Sequence, residues 1–273
     1  MRTFYIFTIF LVALSSVSKA NESALSSGLI EPTGMVTLTD VLNIALSANP
    51  ELAVALRERE AVDGIRVQAA TRLNPSISTS VQDTRRENRQ IYLQLNQEIE
   101  LGNKREARMD AADATYKKAN AELDSKKAEI HANVVSAFYE LLAAQERLKL
   151  SQSSLEVANQ ALDASAKRVK AGKSSPVEET KSKIAQSSAK IELSQATSQL
   201  NSARKRLSAL WGSSNPVYEY AKGDVENIPA IASLNDLSSA LENAPAITIA
   251  KLEINARDGI TKVERSKATP NIT

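Results

Sequence analysis

Apolar positions along the chain change their period several times, and each change marks an element. Leu38, Val41, Leu42, Ala45 and Leu46 recur at three- and four-residue spacing, which predicts a helix over 38–48. Asn49-Pro50 stops it and opens the next, Asn49 as N-cap and Pro50 at the first helical position. The second helix is expected over 50–73, halted by Asn74-Pro75. From Ser76 the period becomes two. Ile77, Thr79 and Val81 share one face, with Ser76, Ser78, Ser80 and Gln82 on the other. Beyond the polar stretch DTRRENRQ, Ile91, Leu93 and Leu95 alternate with Tyr92, Gln94 and Asn96, so a β-hairpin is expected over 76–99.

Leu101-Gly102 turns the chain, and Asn103 with Glu106 reads as an Asn-x-x-Glu cap. No Pro or Gly follows until Gly172, which predicts one helix over 103–171, some 100 Å long at about 1.5 Å per residue. Its apolar positions, among them Leu123, Ile130, Val134, Leu141, Leu148, Leu155 and Leu162, recur mostly at threes, fours and sevens, a coiled-coil habit. Lys167, Arg168 and Lys170 suit the negative end of its dipole, and Gly172 supplies the stop. Ser175-Pro176-Val177-Glu178 then opens a return helix over 176–211 with a capping box. The helix 50–73 and the return helix together span roughly 90 Å, close to the long helix. Two short helices stacked end to end are therefore expected beside the long one.

The pattern then begins again. LTDVLNIALSANPELAVALREREAVDGIRVQAATRLNPSIS is echoed by LNDLSSALENAPAITIAKLEINARDGITKVERSKATPNIT. Pro50 matches Pro245, Asp63-Gly64-Ile65 matches Asp258-Gly259-Ile260, and Pro75 matches Pro270, all 195 positions apart. Glu58, Ala61 and Ile77 recur as Glu253, Ala256 and Ile272. A fixed offset in punctuating Pro and Gly implies a duplicated unit. The expected organisation is a leader at 21–37, a first repeat at 38–212, a linker at 213–232 and the start of a second repeat at 233–273. The second copy halts at Thr273 where its first strand is due, so the sequence reads as incomplete, lacking about 150 residues by analogy with the first copy.

Composition agrees with long helices packed through small side chains: aromatics are 4%, and Gly and Pro number 8 each. A net charge of +2 with no basic stripe gives no case for nucleic acid. The absence of Cys excludes disulfides, thiol nucleophiles and thiolate metal sites. Residues 1–20 read as a signal peptide, with Arg2, an apolar core over Phe4–Leu14, and Ser18 and Ala20 at the cleavage positions. That core is too short to span a bilayer, and no later segment is apolar enough. In an exported chain the hairpin thus matches a transmembrane β-barrel hairpin, with Ile77, Val81, Ile91, Leu93 and Leu95 facing lipid and the loop 83–90 facing the exterior. Taken alone, the same pattern also fits an ordinary half-buried hairpin.

Catalytic chemistry is missing, and no enzyme is expected. His131 is the only histidine, so no His pair can bind zinc. AGKSS lacks the leading glycine of a phosphate loop, because position 167 is Lys. Glu98, Glu100, Asp110, Asp113, Glu178 and Glu179 fit a solvated helix face, or the lining of a cation-conducting tunnel. No cofactor and no resident metal is expected.

Signal peptide, duplicated helix–hairpin–helix unit and Asn-Pro boundaries together resemble TolC-type outer-membrane efflux proteins. QEIELGNKREAR at 97–108, RVKAGKSSPVEETKSKIAQ at 168–186 and RKRLSALWG at 204–212 resemble the cobalt–zinc–cadmium, or CzcC-like, branch. The resemblance implies a mainly α fold with a β-hairpin: long antiparallel coiled-coil helices forming an α-barrel, plus transmembrane β-barrel strands. It implies an outer-membrane homotrimer with its helices in the periplasm, a passive conduit for heavy-metal cations. Its partners are then a periplasmic adaptor protein, an inner-membrane resistance-nodulation-division pump and outer-membrane lipid. The turn from Arg168 to Glu179 would meet the adaptor, with Arg168, Gly172, Ser174 and Ser175 as contacts, although capping alone accounts for Gly172 and Ser175. The same fold also serves drug efflux or polypeptide secretion. A periplasmic coiled-coil scaffold and a non-functional fragment are the remaining alternatives.

Overall fold

A computed structural model describes residues 32–82, 90–224 and 233–273. The expected signal peptide and most of the loop 83–90 lie outside the described residues. Elements run in the order β1 (Gly34–Val36), α1 (Leu38–Ala48), α2 (Pro50–Ala70), β2 (Ser76–Gln82), β3 (Gln90–Asn96), α3 (Lys104–Lys170), α4 (Pro176–Ala209), β4 (Tyr218–Ala221), α5 (Leu234–Leu241) and α6 (Pro245–Ser266).

Caps explain most boundaries. Thr37 and Asp40 form a reciprocal capping box at the start of α1. Asn49 Oδ1 accepts from the Leu52 amide at 2.9 Å, with Pro50 at the first position of α2. At the far end of α3, Gly172 adopts φ +68°. Its amide bonds the Val169 carbonyl and the Lys173 amide bonds the Arg168 carbonyl, each at 2.9 Å, the paired bonds of a Schellman stop.

Three sequence expectations are corrected here. α2 ends at Ala70 rather than at 73. Its last carbonyl accepts from Arg105 Nε at 2.8 Å, and beyond the helix Gln97 Nε2 donates to Leu73 O at 3.1 Å. Asn103 does not cap α3 through its side chain, because it sits in the left-handed region at φ 56°. Ser175 accepts from Val177 N at 3.4 Å, whereas Glu178 pairs with Lys181, so the box at α4 has only one arm.

α3 is the spine. At about 1.5 Å per residue its 67 residues span roughly 100 Å, while the 21 residues of α2 and 34 of α4 span about 32 and 51 Å. Both short helices run along it. Arg59 of α2 donates to Asn120 at 2.9 Å; Gln186 and Gln199 of α4 bond Asn159 and Arg147 at 2.7 and 3.2 Å. Their facing ends meet where Asn49 Nδ2 donates to the Leu210 carbonyl at 2.7 Å.

The core sits at this joint. Ile130, Val134, Phe138 and Leu141 of α3 pack with Val41 and Ala45 of α1, Leu207 of α4, Trp211 and Tyr218. Each such burial stabilises by about 1.5–3 kcal/mol. Over it lies a parallel pair, β1 with β4, missed by a reading that made 21–37 a leader and 213–232 a linker. Runs of three and four residues carry no readable alternation.

Candidate functional site

Two regions stand out: the hairpin and the tip where α3 reverses into α4. In the hairpin, Ile77 lies opposite Leu95, Thr79 opposite Leu93 and Val81 opposite Ile91. Directly paired residues of antiparallel strands point to one face. One side is therefore apolar but for Thr79; the other carries Ser76, Ser78, Ser80, Gln82, Gln90, Tyr92, Gln94 and Asn96. Within the expected hairpin 76–99, the described strands have seven residues each. Among the described residues nothing covers the apolar side: Ile77 is 72% exposed, Leu93 75% and Leu95 67%.

At the foot of the hairpin, Arg108 Nη2 lies 3.0 Å from Glu100 Oε2, with Nη1 on the other carboxylate oxygen. This fork holds the Glu100 carboxyl below its usual range, partly opposed by burial, and raises the Arg108 guanidinium. A contact that sequence reading missed lies beside it. Ile99 and Ile272 exchange backbone bonds at 2.7 and 3.1 Å, an antiparallel bridge, and Asn271 Nδ2 donates to Glu98 Oε1 at 2.5 Å. The signal was present in the offset that makes Ile272 the counterpart of Ile77.

At the tip, Gly172 and Ser175 both serve the turn described above. Arg168 is exposed and Ser174 half-buried. The hairpin residues and the tip residues occupy opposite ends of α3 and form no common site. His131 is exposed midway along α3. Asp113 pairs with Arg66 at 3.6 Å and Lys117 at 3.1 Å. Among the described residues no cluster of three or more His, Cys, Asp or Glu could hold a metal ion, and no helix is long and apolar enough to cross a membrane.

Known proteins share this arrangement. The profile of the family described as "Outer membrane efflux protein" matches residues 41–213. The cobalt-zinc-cadmium resistance protein CzcC of Cupriavidus metallidurans is 39% identical over 243 residues, covering 89% of this chain and 58% of the relative. Among solved structures, CusC superposes with a TM-score of 0.71 at 17% identity, over 86% of this chain and 57% of that one. The CmeC outer membrane channel of Campylobacter jejuni gives 0.70 at 19% identity, over 86% and 54%. The chain thus spans somewhat more than half the length of these relatives, and the two structures share its mostly helical, TolC-like fold. With well over half of its residues matched, the chain belongs to the outer membrane efflux protein family, and its place is the outer membrane.

Proposed function

We propose that this chain is a subunit of a passive outer-membrane conduit for heavy-metal cations. It works as a homotrimer, with a periplasmic adaptor protein and an inner-membrane resistance-nodulation-division pump that supplies the energy. The observation that carries the reading is the hairpin, whose apolar side is left open. Five large apolar residues on one side of two strands suit hydrocarbon and not water. Ile77, Val81, Ile91, Leu93 and Leu95 face lipid as part of a β-barrel completed by strands from other units and copies. A β-sheet is viable in a bilayer only when closed. The Ile99–Ile272 bridge supports this, since it sets Ile272 antiparallel to the segment just after β3.

The helices form the periplasmic tunnel. Residues 1–20 are the signal peptide, 38–212 the first repeat and 233–273 the beginning of a second. The tip contacts the adaptor through Arg168, Gly172, Ser174 and Ser175, and no step of the cycle is enzymatic. Heavy metal is favoured as cargo by the CzcC likeness, 39% identical and printed as a cobalt-zinc-cadmium resistance protein.

Deleting the gene in a strain that keeps the pump and adaptor tests the whole reading. Loss of tolerance to cobalt, zinc or cadmium, restored by the gene, is expected. Unchanged metal tolerance with a new sensitivity to drugs or dyes would keep the conduit and overturn its cargo. No change in either would overturn the function.

A further inference from the structure

The foot of the hairpin carries more positive charge than its pairings use. Arg72, Leu73, Gln97, Glu98, Ile99, Glu100 and Arg105 line an open hollow of about 650 Å³ there. Its two carboxylates are engaged. Glu100 holds the Arg108 fork, and Glu98 accepts from Asn271, whose own oxygen accepts from Lys104. Its two guanidinium groups are not. Arg105 uses only Nε, on the Ala70 carbonyl, and its Nη groups have no hydrogen-bond partner among the described residues. Arg72 has neither hydrogen bond nor ion pair among them, and both side chains are exposed. Counting the groups that line the hollow or bond to its carboxylates, Arg72, Lys104, Arg105 and Arg108 face Glu98 and Glu100, a surplus of two positive charges.

The hollow continues the apolar side of the hairpin. Leu73 and Ile99 keep the odd parity of Ile77 and Leu95, four residues along each strand, and are 39% and 55% exposed. At about 3.3 Å per residue and a tilt of about 40°, four residues carry the chain roughly 10 Å towards the helices. The headgroups add about 5–8 Å to each side of a bilayer's hydrocarbon. With Ile77 and Leu95 in lipid and the helices in the periplasm, Arg72 and Arg105 stand among the headgroups of the periplasm-facing leaflet. Apolar side chains beside unpaired guanidinium groups suit one kind of molecule, with a phosphate at one end and hydrocarbon at the other.

We propose that the hollow at the foot of the hairpin binds an anionic phospholipid of that leaflet. Arg72 and the Nη groups of Arg105 take the phosphate, while Leu73 and Ile99 meet the first carbons of an acyl chain. The proposal rests on the outer-membrane conduit above and adds a lipid preference to it.

The test titrates the full protein, expressed from its own gene and extracted in mild detergent, with phosphatidylglycerol or phosphatidylcholine, and counts bound lipid by native mass spectrometry. Phosphatidylglycerol should bind more tightly than phosphatidylcholine, and Arg72→Gln with Arg105→Gln should weaken it by about tenfold or more. Arg72→Lys, which keeps the charge, should retain most of the affinity. Arg57→Gln, an exposed arginine far along α2, should change nothing. Equal binding of the two lipids, parent-like binding by the double variant, or an equal loss in Arg57→Gln would overturn the site. Displacement of the lipid by equimolar glycerol phosphate would also overturn it, since the hydrocarbon would then contribute nothing. If binding fails while the protein is a trimer that inserts into phosphatidylcholine vesicles, only this site falls. If the protein neither assembles nor inserts, the conduit falls with it.

Discussion

Asn49 and Leu210 are joined across 161 residues: the Asn49 amide donates to the Leu210 carbonyl at 2.7 Å while its oxygen accepts from the Leu52 amide. One buried side chain thus caps α2 and fastens it to the end of α4.

Asn49→Ala is expected to cost about 2–3 kcal/mol, the loss of a cap plus a buried carbonyl left unpartnered. Asn49→Asp keeps the cap acceptor but offers Leu210 no donor, so most of the loss should remain. Denaturant unfolding of both variants checks this, and equal stability of Asn49→Asp with the parent would refute the second role.

The tip separates turn formation from recognition. Gly172→Ala should destabilise the α3–α4 reversal by about 1–2 kcal/mol, because φ +68° is strained for any residue with a Cβ. Arg168→Gln should cost no more than about 0.5 kcal/mol through the helix dipole, yet weaken capture of the adaptor. Parallel thermal melts and co-purification read the two effects independently.

Glu100 makes the foot of the hairpin acid-sensitive. Arg108 holds its folded pKa below the ordinary glutamate value of about 4.3. The pair therefore stabilises the fold above that value, and the contribution is lost as pH falls through the lowered one. Between pH 7 and 3, Glu100→Gln should show a flatter decline in stability than the parent. An identical pH profile would show that the pair contributes nothing.

On the hairpin, Leu93→Arg should cost about 2–4 kcal/mol of membrane stability if Leu93 lies near the bilayer midplane. Gln94→Arg, on the polar face, should cost little. Folding titrations into lipid vesicles compare the two, and equal losses would contradict the assigned faces.

Residue 102 onward shows where local rules stop. Asn103 has the right chemistry and spacing for a cap, yet the tight turn with Gly102 at φ 71° puts it in a left-handed conformation that cannot cap. α2 ends at Ala70, where Thr71 turns extended, and the free Ala70 carbonyl is met by Arg105, 35 positions away. Neither fact is visible in the few residues around each boundary.

What the sequence determined by itself was whatever a few neighbouring residues can enforce. Asn49-Pro50, Gly172 and Ser175-Pro176 set backbone angles directly, the long Gly- and Pro-free run leaves helix as the stable state, and two-residue alternation fixes the hairpin faces. Only the tertiary structure decided the β1–β4 pair, the burial of Trp211 and Tyr218 at the joint, and the use of Gly259 where Gly64 lies open. These depend on which surfaces meet across more than a hundred residues. Packing and hydrogen bonding settle that together, after local preferences have been spent.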